Sequence, residues 1–277
     1  MKNFKKLLAV LLAGLMLLSL VACGEKKDDV DYKFGMVSSM YNTRGFYNHI
    51  NEAHGDSKLN SVLTQFDNLN AALMALNSKD ITALSVDEEV AAYITAHNDD
   101  YIYVVESKYP GSNNYSMMTM DSNKEVYDIL NNAIKDMKSD GTLDSLIANE
   151  LKAYIESDPV AKDLPKFDGA RTIKVGVTGD VPPMDFVAAN GKAAGFNIAL
   201  LTEIANRAQV NIDLVQIDSA ARATALSTEK VDAVFWSKSV SCDSCDNAVF
   251  AEEIEGTLVT ETYFSAAAAV LMSKSEK

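Results

Sequence analysis

Two hydrophobic periodicities alternate along most of the chain. In "RTIKVGVTGDVPPMDF" (171–186), Ile173, Val175 and Val177 alternate with polar or small residues, which predicts a half-buried strand over 173–177. A Gly-Asp-Val-Pro-Pro turn punctuates it. "FNIALLTEIANRA" (196–208) then places Leu200, Leu201, Ile204, Ala205 and Ala208 on one helical face. Strands over 210–217 and 231–235 follow, separated by a helix that Asp218 or Ser219 can cap. Strands and helices alternating at these lengths imply a mostly parallel sheet. Residues 32–105 give a comparable series: strand "KFGMV", a helix near 45–53, strand "SVLTQF", and a helix over 68–77 with Asp67 or Asn68 near its cap. Strand "ITALSV", a helix over 87–96 and strand "YIYVV" complete it.

The two series share a layout. "ALNSKDITAL" (75–84) and "ALSTEKVDAV" (225–234) each read as a helix end, a polar turn and a short apolar strand. That is half of a βαβ unit, and its recurrence suggests two related α/β lobes. Between the series, Val126, Ile129, Leu130, Ala133, Ile134 and Met137 form the apolar stripe of an amphipathic helix. Asp121 or Ser122 can cap its start, Gly141 ends it, and Thr142 caps a second helix carrying Leu143, Leu146, Ile147 and Leu151. Residues 157–170 hold two prolines and no period, which reads as a linker.

The N-terminus adds a different pattern. Lys2, Lys5 and Lys6 precede an apolar run that is too short for a membrane span and is closed by a cysteine, so residues 1–22 read as an export signal. "LVAC" resembles the lipobox of bacterial lipoproteins. The resemblance implies that Cys23 becomes a lipidated N-terminus, with 23–31 as a charged tether, and that the protein is extracytoplasmic and anchored to the outer face of the cell membrane. An ordinary secretory signal is the alternative. The chain of 277 residues has 25 basic and 39 acidic side chains, a net charge of −14. Without the three signal lysines it is more acidic still, which argues against nucleic acid as a partner and otherwise means solubility. Cys242 and Cys245 stand in "CDSC". In an exported protein a local disulfide is one reading and free thiols the other. His49, His54 and His97 have no metal spacing, so neither a metal nor a cofactor is expected.

Residues 173–239 resemble the first lobe of the extracytoplasmic solute-binding proteins of amino-acid ABC transporters. The matching positions include Asp180, Pro182, Pro183, Phe186, Gly191, Gly195, Phe196, Asn197, Arg222, Leu226, Lys230 and Asp232. "VTETYFSAAAAVLMSK" (259–274) is similar to the strand by which that family leaves lobe one, with Tyr263 and Phe264 in place. The first half resembles the rest of the family, its second lobe and C-terminal helices, so the order is that of a circular permutation. The resemblance implies a permuted two-lobe type 2 periplasmic-binding-protein fold of class α/β, each lobe a mostly parallel sheet flanked by helices. Lobe two is expected over 32–105, a hinge return and helices over 106–156, the linker over 157–170, and lobe one with the hinge strand over 171–277. It further implies a small polar solute in the interlobe cleft, an amino acid or related compound. An ABC permease is the implied partner, attachment to the membrane is through the lipid, and the expected state is a monomer.

The same resemblance supplies site residues. Met184 or Phe186 would form a cleft wall, and either can equally be core. Ser237, Ser239 and Ser241 in "WSKSVS" match a loop that holds the ligand carboxylate, and Lys238 could add charge or simply be solvated. Ser38 and Ser39 match a helix start in lobe two. Asp87 would pair with an α-amino group or else cap the helix that follows it. Trp236, the only tryptophan, is either an aromatic platform or core. The arginine that clamps the carboxylate in the family is absent, with Ser244 in its place. No catalytic residues are expected. The alternatives are a cleft enzyme resembling cyclohexadienyl dehydratases, with Asp180, Asp185 and Asp87 as candidate acids, or a ligand-free sensor or scaffold.

Overall fold

A computed structural model describes residues 33–37, 63–105, 111–242, 248–251 and 254–274; at 111, 237, 238, 240–242 and 248–251 it describes the backbone alone. The expected signal and tether, the helix near 45–53 and the residues Cys23, Ser38, Ser39, Ser244 and Cys245 lie outside the described residues.

The first series gives strands β1 (Phe34–Val37), β2 (Leu63–Phe66), β3 (Ala83–Asp87) and β4 (Tyr101–Val105), with helices α1 (Leu69–Asn77) and α2 (Glu88–His97). Asn68 starts α1: its Oδ1 accepts the Ala71 N–H at 2.9 Å. Strand β5 (Gly111–Met120) then leads into helices α3 (Lys124–Asp140) and α4 (Thr142–Leu146). Gly141 separates the two in a left-handed conformation at φ 80°, which any residue with a Cβ would resist. No side-chain cap forms at the start of α3, which Asp121–Asn123 enter as one 3-10 turn. Thr142 is not the cap expected from the sequence. It is the first helical residue, and the Asp140 carboxylate accepts its N–H at 2.9 Å.

The second series gives β6 (Thr172–Val177), the short strands β7 (Asp180–Val181), β8 (Asp185–Val187) and β9 (Ala193–Ala194), helix α5 (Phe196–Ala208), β10 (Asn211–Gln216) and helix α6 (Arg222–Ser227). Strands β11 (Ala233–Cys242), β12 (Ala248–Ala251), β13 (Thr257–Val259) and β14 (Phe264–Ser273) complete the chain. Asp218 precedes α6 without forming a side-chain cap bond.

The fold is α/β, as the sequence predicts. Among the described residues one curled sheet runs β10-β6-β11-β5-β14-β3-β1-β2. Each end is a parallel trio, β10-β6-β11 and β3-β1-β2. The middle is antiparallel, and it is where the chain passes between the halves. β5 pairs with β11 and β13 in one half, while β14 pairs with β5 through Phe264–Ala267 and then with β3 and β4 through Ala268–Ser273. The alternation of apolar residues in β6 buries Ile173, Val175 and Val177 as expected.

One difference matters for the site. The sequence predicts a strand ending near 235 and a loop over "WSKSVS", yet β11 continues to Cys242. It pairs with β5 over its whole length and absorbs a register shift between Ser237 and Ser239.

Residues 157–170 have no regular structure but are tied at both ends. The Asp158 carboxylate accepts the Tyr93 hydroxyl of α2, and Lys192 donates to Asp163 at 2.6 Å. Asn211 accepts the Phe167 N–H at 2.8 Å and donates to the Phe167 and Ala170 carbonyls. Asn211→Ala is therefore expected to cost about 1–3 kcal/mol and to speed proteolytic cleavage within 157–170, readable as a lower Tm and faster nicking.

Candidate functional site

In an α/β sheet ligands gather at the carboxyl ends of parallel strands. Here both trios point such ends at the β5/β14 junction. β3 ends in Asp87, and this carboxylate does not cap α2. It turns to β5 instead, accepting Asn113 Nδ2 at 2.6 Å and the Tyr115 hydroxyl. Burial pushes the Asp87 carboxyl up from its ordinary value, and the two donated bonds only partly oppose this. The Tyr115 hydroxyl is pushed well up as well, first by burial and then by the Asp87 charge.

An aromatic floor lies beneath. Phe264 stacks on Tyr115 at 6.3 Å and meets Phe196 edge-on at 5.7 Å. Tyr263 packs on Phe196 and Phe235, and its hydroxyl reaches Asn197 Oδ1 at 3.4 Å. Asn197 in turn donates to Asp185 at 3.0 Å. Asp185 is buried, and its other oxygen accepts the Thr178 N–H and hydroxyl and the Gly179 N–H. The turn before it is fixed by Gly195 at φ 108°: a Cβ there would sit 2.5 Å from the Met184 carbonyl oxygen. Phe196 and Asn197 can then donate their N–H groups to Pro183 and Met184.

Two charged groups complete the junction. Asp180 on β7 accepts the Leu69 N–H of α1 through Oδ2 at 3.1 Å, a bond between the two halves. Its carboxyl is raised, first by burial and then by the Asp185 charge. Arg222 opens α6 just beyond the end of β10. Its positive charge lies close enough to oppose the upward shifts of both Tyr115 and Tyr263. Among the described residues its guanidinium has no hydrogen-bond or ion-pair partner.

The residues singled out in the sequence are only partly united. Asp87 meets Asn113 and Tyr115, which share one face of β5. Ser239 is bonded through Asn114 Nδ2, at 3.0 Å, on the opposite face. Ser265 joins that second cluster, donating to Asn114 Oδ1 at 2.8 Å. Ser237 precedes the register shift of β11 and Lys238 lies within it, while Ser241 and Cys242 lie further along the strand; the backbone alone is described at these four. Met184 is core, 5% exposed. Phe186 is half-buried and faces Tyr93 at 6.4 Å across the halves. Trp236, 2% exposed, packs with Met118, Ile217, Leu226 and Val234 in a separate core on the α6 side of the sheet.

Tyr115, Asn113 and Arg222 were not singled out for the site by the sequence. For Arg222 a signal existed: a lone cation starting a helix a few residues after a strand in an acidic chain.

Comparison with known proteins matches this second half. Residues 173–273 match the family model of the bacterial extracellular solute-binding proteins, family 3. The match begins inside β6 and ends on the last residue of β14; residues 33–172 stand outside it. Among curated proteins, none matches the chain. Among solved structures, the chain is similar to the alkanesulfonate-binding protein SsuA from Xanthomonas axonopodis pv. citri bound to MOPS, at 9% identity and a TM-score of 0.42, covering 90% of this chain and 67% of that one. It is similar to the GluR0 ligand-binding core in complex with L-glutamate, at 11% identity and a TM-score of 0.39, over 90% and 87% of the two chains. A mutant of the arginine-bound form of domain 1 from TmArgBP matches at 35% identity and a TM-score of 0.22, over 23% and 49%.

Proposed function

We propose that the protein captures a small polar solute, an amino acid or related compound, between its two halves and delivers it to an ABC importer. In this reading it is a lipid-anchored, extracytoplasmic monomer, tethered through Cys23. Residues 32–105 act as lobe two and 171–277 as lobe one with its hinge strand, in circularly permuted order. The 106–156 segment returns to lobe one, and 157–170 joins the ends that the family leaves free.

The observation that carries this reading is the junction itself. Two crossing strands bring a half-buried carboxylate, the half-buried Tyr115 and buried Tyr263 phenols, and a guanidinium without a partner among the described residues to the carboxyl ends of two parallel trios. Such a cleft closes by hinge motion because the solute bonds both halves at once. The clamp arginine of the resembling family is missing at Ser244, and Arg222 takes over the solute's anionic end.

A thermal-shift panel of amino acids, amines, peptides and aromatic acids on the full chain tests this. Compounds far above their dissociation constants are expected to raise Tm. For a carboxylate-bearing hit, Arg222→Ala is expected to weaken binding about ten- to hundredfold, because a charge-assisted pair is lost. No shift anywhere in the panel overturns the reading.

A further inference from the structure

Asp87, Asp180 and Asp185 lie on β3, β7 and β8 beside the junction, and two of them are already employed. Asp185 accepts bonds on both oxygens, and so does Asp87. Asp180 differs. Its Oδ2 accepts the Leu69 N–H at the start of α1 in the other half, while its Oδ1 is buried and has no partner among the described residues. The Asp185 carboxylate adds negative charge beside it. Among the described residues no lysine or arginine pairs with it.

The N–H groups of Leu69 and Asn70 and the Thr178 hydroxyl ease the burial of this carboxylate but do not offset it, and Oδ1 still accepts no hydrogen bond among the described residues. Burial only partly compensated is the mark of a group that something else is meant to satisfy. The charge deficit says what: a cation with N–H donors. We infer that Asp180 receives a cationic group of the solute, an ammonium or guanidinium, at Oδ1 while Oδ2 keeps its bond to α1. This rests on the solute-binding reading above and names the chemistry of its ligand.

Two consequences follow from the placement. Asp180 belongs to β7 in one half and is bonded to α1 in the other, so a cation bound there is held by both halves and favours their closure. Asp87, occupied by Asn113 and Tyr115, ties the junction together and is not the acceptor for the solute's amine. With Arg222 available for an anionic end, the favoured solute carries charges of both signs.

Isothermal titration calorimetry on the full chain with L-lysine, putrescine and succinate tests the assignment. L-lysine is expected to bind more tightly than putrescine, and succinate weakest. Asp180→Asn is expected to weaken L-lysine and putrescine at least about tenfold. The ligand-free Tm of that variant should be unchanged or higher, since an only partly compensated buried charge has been removed; this reports that the variant is folded. Equal affinity of variant and wild type for the cationic probes overturns the assignment. So does tight binding of succinate alone, which would leave the solute-binding reading intact. If neither these probes nor the wider thermal-shift panel binds, the solute-binding reading itself falls, and this inference with it.

Discussion

Trp236→Ala is expected to lose about 3–5 kcal/mol of stability, the usual cost of emptying a large aromatic site in a core. The ring is 2% exposed and wedged among Met118, Ile217, Leu226 and Val234, so its removal leaves a cavity that β11 and α6 cannot both collapse into. Chemical denaturation reads this directly as a lower midpoint at an unchanged slope. Solute affinity of the folded variant should stay near that of wild type, because the apolar cluster that holds the ring includes none of Asp87, Tyr115 and Tyr263. A platform for an aromatic or cationic ligand would behave the opposite way, with stability kept and binding lost. That outcome would return Trp236 to the site.

Asp87→Ala is the second large effect, about 2–4 kcal/mol, and its origin is polar. The substitution strands the Tyr115 hydroxyl and the Asn113 amide at a partly buried junction. The loss is tempered because the carboxylate is itself desolvated, as its raised pKa shows. The sign of the pH dependence follows. The folded chain holds the Asp87 proton more tightly than the unfolded chain does. The Asp87 contribution to stability therefore falls as pH rises from the ordinary carboxylate value of 3.8 through the raised one. Asp87→Asn should remove that part of the slope, which denaturation midpoints across acidic pH would measure. An unchanged slope would mean that the Asp87 carboxyl is as well solvated in the folded chain as in the unfolded one.

Much of the fold was legible because local pattern and burial agree. The stripe of Val126, Leu130, Ala133, Ile134 and Met137 is buried in α3, and "FNIALLTEIANRA" is α5 from first residue to last. The end of β11 lies beyond the strand that the apolar pattern predicts, although a signal for it is present. In "WSKSVS" the larger residues Trp236, Lys238 and Val240 alternate with serines at period two, a strand pattern hidden by its polarity. The partners of Asp87 could not be read, since they lie 26 and 28 residues away in a polar strand and meet it only through the sheet register. Asn68 caps α1, whereas Thr142 lies inside its helix and donates its own N–H to Asp140, because capping depends on which short side chain the backbone turn aims inward. Asp180 was visible only as one acid among several; its buried oxygen without a partner among the described residues is a fact of packing.

A small solute is expected to close the two halves about the β5/β14 crossing. Small-angle X-ray scattering of the full chain, alone and with the strongest compound of the thermal-shift panel, measures this. The radius of gyration should fall with that compound, and should not fall for Arg222→Ala or Asp180→Asn at the same concentration. A profile that no compound changes, although the compound demonstrably binds, would contradict it.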